Sequence, residues 1–219
     1  SISWTSGGTN YSTSPEYFAL DITDPLNPRL LWTFSNAALG LSMSYPAVAK
    51  TGDNWFVIFG SGPTNYDYNS NLTAYQSGNV FALKMSGADN GVINSWTENT
   101  NFWKKATGNA TTFMSDPITV DVDMDNDVDV IYIGENYKVG STWNARLKRI
   151  TTDKGSSTLP SGWSALSTLG DINTIAGAKD VVKRITSAPS AAMDNRANLY
   201  VYFGTGQFLG SSDKNQTDY

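Results

Sequence analysis

Short apolar runs, four to seven residues long and rich in Val, Ile, Phe, Tyr and Trp, alternate along the chain with Gly, Asn, Asp, Ser and Pro. Runs of that length bounded by turn residues read as β-strands, and no stretch sustains the 3.6-residue period of an amphipathic helix. The runs recur in a fixed order. Ser44-Tyr45-Pro46, Ser115-Asp116-Pro117 and Ser187-Ala188-Pro189 each open a strand-like segment, and their prolines lie 71 and 72 residues apart. Each proline stands where a strand begins and its missing N–H is tolerated. A second run ending in glycine follows each: WFVIFG (55–60), DVIYIG (129–134) and LYVYFG (199–204). Those glycines are 74 and 70 residues apart. Two further runs precede each proline, first at 17–21, 80–84 and 145–150, then at 30–34, 92–96 and 162–166.

Lettered in chain order C, D, A, B, these runs predict about twelve strands in three repeats, roughly residues 15–62, 79–135 and 144–206. A four-stranded unit cannot bury its own faces, so its repetition predicts an all-β fold, a partial β-propeller of about three blades within one domain. Closed propellers have about 4–8 blades, which makes three a part of a larger, quinoprotein-like ring. Small residues beside large ones, Ala19 with Trp32 and Ala82 with Trp96, suit the packing of blade on blade. The polar stretches 60–79, 99–113, 135–144 and 151–184 read as surface loops.

Composition sharpens this picture. In 219 residues, 40% are hydrophobic and 12% aromatic, enough for a packed core, while only 16% are charged. The polar surface is therefore built from Asn, Ser, Thr and Gly, as in loop-rich extracytoplasmic β proteins. The net charge of −5 argues against nucleic acid or an anionic membrane as partner. With neither Cys nor His, the chain cannot hold a Cys nucleophile, a Ser-His-Asp triad or the usual zinc sites, and no catalysis is expected of it. No apolar run approaches the roughly 18 residues of a membrane span. The first residue is Ser, so the chain reads as a piece of something longer.

The acidity is local. Between Ala106 and Tyr137 there is no Lys or Arg, but seven carboxylates: Asp116, Asp121, Asp123, Asp125, Asp127, Asp129 and Glu135. Within VDVDMDNDVDVIYIG (120–134), Asp121, Asp123, Asp125 and Asp129 occupy positions 1, 3, 5 and 9 of a calcium-loop pattern. Asn126 falls at position 6, where the turn needs a residue that tolerates a left-handed backbone. Asp127 would offer its backbone carbonyl, and Val128 would anchor the loop in the core. Were this segment a plain strand, Asp121, Asp123 and Asp125 would line one face at about 7 Å intervals and repel one another. A hard cation with six to eight oxygen ligands relieves that repulsion, and Ca2+ is the cofactor expected. Position 12 is Tyr132 instead of the bidentate Glu of an EF-hand, so Asp129 must close the site. Thr51-Gly52-Asp53-Asn54 and Ala88-Asp89-Asn90-Gly91 read as hairpin turns. Tyr66, Tyr68 and Tyr75 form an aromatic cluster in an irregular loop, suited to a partner or to local packing.

This ordered set resembles the PilY family of type IV pilus-associated proteins. The resemblance lies in YFALDITDPLNPRLLWTF (17–34), SYPAVAK (44–50) with WFVIFGSG (55–62), SDPITVDVDMDNDVDVIYIGE (115–135), and ITSAPS (185–190) with YVYFGTGQFL (200–209). It implies a modified C-terminal β-propeller on a secreted or outer-surface protein, at a pilus tip or cell surface. It further implies roles in pilus assembly, retraction and adhesion, with calcium in this loop coupled to them. The implied partners are pilus subunits (minor pilins) and a host or abiotic surface. Family loops often carry Gly at position 6, from which Asn126 departs. Two other propeller classes share part of the pattern. An integrin-like FG-GAP propeller would repeat the Asp loop in several blades, but 50–54 and 193–198 lack the carboxylate set, each having a single Asp. A quinoprotein dehydrogenase would share the Ala…Trp pattern and be an enzyme.

Overall fold

The computed structural model describes residues 2–66, 72–85, 89–152, 158–172, 174 and 184–206. These form seventeen strands and one 3-10 turn, with no α-helix among the described residues. Hairpin β1 (Ile2–Ser6) and β2 (Thr9–Thr13) is followed by hairpin β3 (Tyr17–Asp21) and β4 (Arg29–Phe34). Next come β5 (Ala47–Thr51) and β6 (Asn54–Gly60), the two-residue strands β7 (Asn65–Tyr66) and β8 (Leu72–Thr73), then β9 (Asn79–Lys84) and β10 (Phe102–Ala106). In β5, β6, β9 and β10 each strand pairs antiparallel with the one before, making a four-stranded sheet. A second sheet repeats the plan with β12 (Ile118–Val120), β13 (Val130–Val139), β14 (Thr142–Thr151) and β15 (Ser167–Asp171), while β11 (Thr112–Met114) pairs with the far half of β13. Hairpin β16 (Ser190–Met193) and β17 (Leu199–Tyr202) completes the described chain.

Strand side chains alternate between faces, and the first four-stranded sheet is apolar on both. Phe56, Ile58, Val80, Ala82 and Trp103 share one buried cluster with Ile131, Ile133 and Ile150 of the second sheet. Phe59, Phe81, Leu83 and Phe102, on the opposite face, cluster with Trp32 and Phe34 of β4. Phe34 meets Phe59, Phe81, Trp96 and Phe102 edge-on, with centroids 5.2–5.8 Å apart. Beyond the second sheet, Ala145 and Ile172 pack with Ile185 and Phe203. Successive sheets thus lie face against face.

The Ser-x-Pro and terminal-Gly repeat has a physical cause. Ser44 Oγ accepts the Gly60 N–H at 2.9 Å and donates to the Ser115 carbonyl at 2.9 Å, while Ser115 Oγ accepts the Gly134 N–H at 2.9 Å. A Cβ on Gly60 would stand 2.3 Å from Met114 Cβ, and one on Gly134 2.6 Å from Ile185 Cγ2. The glycines let the next sheet lie directly against the backbone.

Two expected strands are displaced. Residues 92–96 form no strand; instead β10 at Phe102–Ala106 closes the first sheet. Segment 92–96 is an apolar strap along β4, with the Ile93 N–H on the Leu31 carbonyl and the Trp96 indole on the Thr33 carbonyl. Likewise 162–166 lies outside the ladder, and β15 at Ser167–Asp171 takes that place. There Trp163 plugs the core against Phe56. Thr51–Asn54 is the hairpin turn expected, with Gly52 at φ 56°. Asp89–Gly91 is a 3-10 turn and not a hairpin, and Ala88 and Tyr68 lie outside the described residues. Among the described residues no helix is long and apolar enough to cross a membrane.

Candidate metal centre

The acidic loop joins β12 to β13, and its ends are tied before any cation is considered. The Asp129 N–H donates to the Val120 carbonyl at 2.9 Å, closing the loop across its mouth. Val128 is buried in the core between the two large sheets, as an anchor at position 8 should be. Its N–H donates to the Lys50 carbonyl, and its own carbonyl accepts the Thr152 hydroxyl. The turn bends through left-handed backbone at Asn126 (φ 72°) and also at Met124 (φ 62°). Asn tolerates that region because its short polar side chain can bond locally; Met is unusual there.

The carboxylates organise the backbone. Asp121 accepts the Met124 N–H at 2.6 Å on one oxygen and the Asn126 N–H at 2.8 Å on the other. Asp129 Oδ2 accepts the Val122 N–H at 2.6 Å, and Asp125 accepts the Asp127 N–H at 2.9 Å. The result brings one carboxylate oxygen each from Asp121, Asp123 and Asp129 within 4.8 Å of one another. Oxygens on opposite sides of a calcium ion, each at 2.3–2.6 Å, stand about 5 Å apart, so this spacing fits a shared hard cation. The donor set is all oxygen, and this cluster can hold a metal.

Asp125 and Asp127 stand outside that trio. The Asp127 carboxylate turns to the neighbouring sheet, where it pairs with Lys50 Nζ at 2.7 Å and accepts the Gly52 N–H at 3.0 Å. The carboxylate in turn holds the Lys50 ammonium above its ordinary pKa. Its backbone carbonyl is the group expected to face a cation, so the side-chain pairing leaves that role open. Lys50 and Gly52 are the residues that the sequence did not point to. They lie 77 and 75 residues from Asp127, and only the stacking of the sheets brings them close.

The two other acids of the tract serve elsewhere. Asp116 accepts the Tyr45 N–H at 2.7 Å, and partial burial pushes its carboxyl above the usual range. Glu135 is fully buried, 3.2 Å from Lys148 Nζ and 3.8 Å from Arg146 Nε. In the other turns of this type, Gly52-Asp53 lacks a carboxylate set, while Asp194 caps its own turn by accepting the N–H groups of Arg196 and Asn198.

Comparison with known proteins bears on the ordered set as a whole. The chain is 46% identical over 59 residues, a quarter of its length, to a type IV pilus biogenesis factor PilY1 homolog of Xylella fastidiosa. Over that stretch the chain is similar to a PilY-type protein. It spans 5% of that relative's length. Its structure is similar to the crystal structure of the Pseudomonas aeruginosa PilY1 C-terminal domain, with a TM-score of 0.60 at 22% identity. That likeness covers 96% of this chain and 44% of the solved one, and it is a likeness of fold. No family model matches the chain.

Proposed function

We propose that this chain is a non-catalytic, calcium-binding segment of a PilY-type β-propeller. In this reading the two large sheets are whole blades, the second with β11 added to β13, and the hairpins β3–β4 and β16–β17 are parts of two more. Calcium occupies the loop at 121–129, with Asp121, Asp123 and Asp129 as carboxylate ligands, Asp125 at position 5 and the Asp127 carbonyl completing the shell. A cation saturated by protein oxygen has no open position at which to activate water or substrate, so the ion is structural. It pins the A–B turn of the middle blade, and through Lys50 and Gly52 that turn is joined to the blade before it.

The observation that carries this reading is the convergence of three carboxylate oxygens within 4.8 Å in a loop already bent for the purpose. The similarity to a PilY1 homolog supports a role at a type IV pilus, extracytoplasmic; minor pilins are the partners proposed, and attachment to a host or abiotic surface the proposed outcome. Isothermal titration tests it. Wild type takes up about one calcium ion, and Asp123→Ala, an exposed substitution, abolishes uptake while keeping the β circular dichroism of wild type. Equal uptake by both proteins would remove the loop from the account.

A further inference from the structure

Three contacts fasten the closing half of the acidic loop to the β5–β6 hairpin of the neighbouring sheet. The Asp127 carboxylate pairs with Lys50 Nζ at 2.7 Å and accepts the Gly52 N–H at 3.0 Å. The Val128 N–H donates to the Lys50 carbonyl at 2.8 Å. None of these contacts uses a carboxylate of the Asp121, Asp123 and Asp129 trio. Two of them need no Lys50 side chain, since one runs to Gly52 and the other to a backbone carbonyl. The third brings a full positive charge to a tract that has no Lys or Arg of its own.

That charge acts beyond its own pair. The Lys50 ammonium is stabilised first by its hydrogen bond to Asp127, and then by attraction to Asp127, Asp53 and Asp125. Asp125 is the position-5 residue of the loop, so the ammonium and a bound cation draw on the same negative field. With the Asp127 carbonyl in the metal shell, the path through that residue keeps Lys50 Nζ within about 10 Å of the ion. Charges of +1 and +2 at about 10 Å in water-like surroundings weaken binding roughly fourfold, and more where the dielectric is lower. Both side chains of the pair are about two-thirds buried, 31% and 34% exposed, so the lower dielectric applies in part.

We propose that Lys50 sets the strength of calcium binding in this loop: its ammonium is the resident counter-charge that supports the empty loop and weakens the hold on an incoming ion. Preorganisation does not reverse the sign, because the Gly52 and Val128 contacts persist when the ammonium is removed. The site is thereby shaped before the ion arrives and able to exchange it, unlike a loop that folds only around its metal.

The inference rests on reading the loop as a calcium site. Its test is isothermal titration with calcium at low ionic strength, on wild type and on variants that keep the loop itself intact. Lys50→Met retains a long stem without the charge and is expected to bind calcium roughly four- to tenfold more tightly. Lys50→Gln, which can still hydrogen-bond to Asp127, gives the same gain, and Lys50→Arg keeps the affinity of wild type. The gain shrinks as salt is raised to about 0.5 M, where charges about 10 Å apart are screened. In chelator Lys50→Met melts below wild type, and its calcium-dependent shift in midpoint is the larger of the two. Calcium uptake by wild type with equal or weaker affinity in both neutral variants overturns the inference and leaves the metal site standing. No calcium uptake by any of these proteins overturns it together with the reading of the loop.

Discussion

Asn126 shows how far a single residue can be read. Its place at the sixth position of the acidic loop calls for a left-handed backbone, and its φ is 72° with its N–H on the Asp121 carboxylate. Asn126→Gly should therefore keep both the fold and the calcium response. Asn126→Val should cost about 1–2 kcal/mol, because a β-branched residue is strained in the left-handed region that Asn tolerates, read as a lowered melting midpoint at unchanged spectrum. Equal stability of the two variants would mean that the turn does not constrain the loop. Met124, also left-handed at φ 62°, had no such signal, because nothing in a Met at position 4 announces the bend. Gly60 was legible only as a repeated letter. The structure supplies its reason, a Cβ 2.3 Å from Met114 Cβ, so Gly60→Ala should destabilise by roughly 1–3 kcal/mol through overpacking. A denaturant midpoint shift of that size checks it; no shift would mean that the two sheets part easily.

At the scale of elements, strands A and B were legible because each couples an apolar run to a marker, a Ser-x-Pro start or a glycine end, and strands C because their apolar runs do enter the ladders. The D strands carry no marker, and there the pattern misled. Residues 92–96 are apolar because Ile93 and Trp96 pack beside β4, and 162–166 because Trp163 fills the core. An apolar pattern reports where side chains go; it does not report which backbone enters a ladder. The strand at Phe102–Ala106 was obscured by Lys104 and Lys105, whose cationic heads reach Glu98 and the Trp163 carbonyl at the sheet's edge. The second sheet hides another feature from the sequence, the buried Glu135 between Lys148 and Arg146. Removing one partner of a buried ionic group leaves the others uncompensated. Glu135→Ala should cost about 3–5 kcal/mol by that rule, measured by chemical denaturation. A loss below about 1 kcal/mol would place the group in solvent-like surroundings, as for surface pairs.

For the whole molecule, the acidic loop and the sheet stacking are one problem. Five aspartates in nine residues repel one another, and Lys50 from the neighbouring sheet offsets part of that charge through Asp127. A cation held by Asp121, Asp123 and Asp129 would offset the rest, and its binding energy would then appear as stability of the sheet that carries the loop and of the contact beside it. A ligand that binds only the folded state adds about 2.7 kcal/mol at 100 times its dissociation constant. The most direct measurement is the melting curve of the 219-residue chain in millimolar calcium and in chelator, at constant ionic strength with magnesium as control. A midpoint several degrees higher in calcium than in chelator or magnesium, lost in Asp129→Ala, is the predicted result. Identical melting in all three conditions would contradict the claim that this loop is a calcium site.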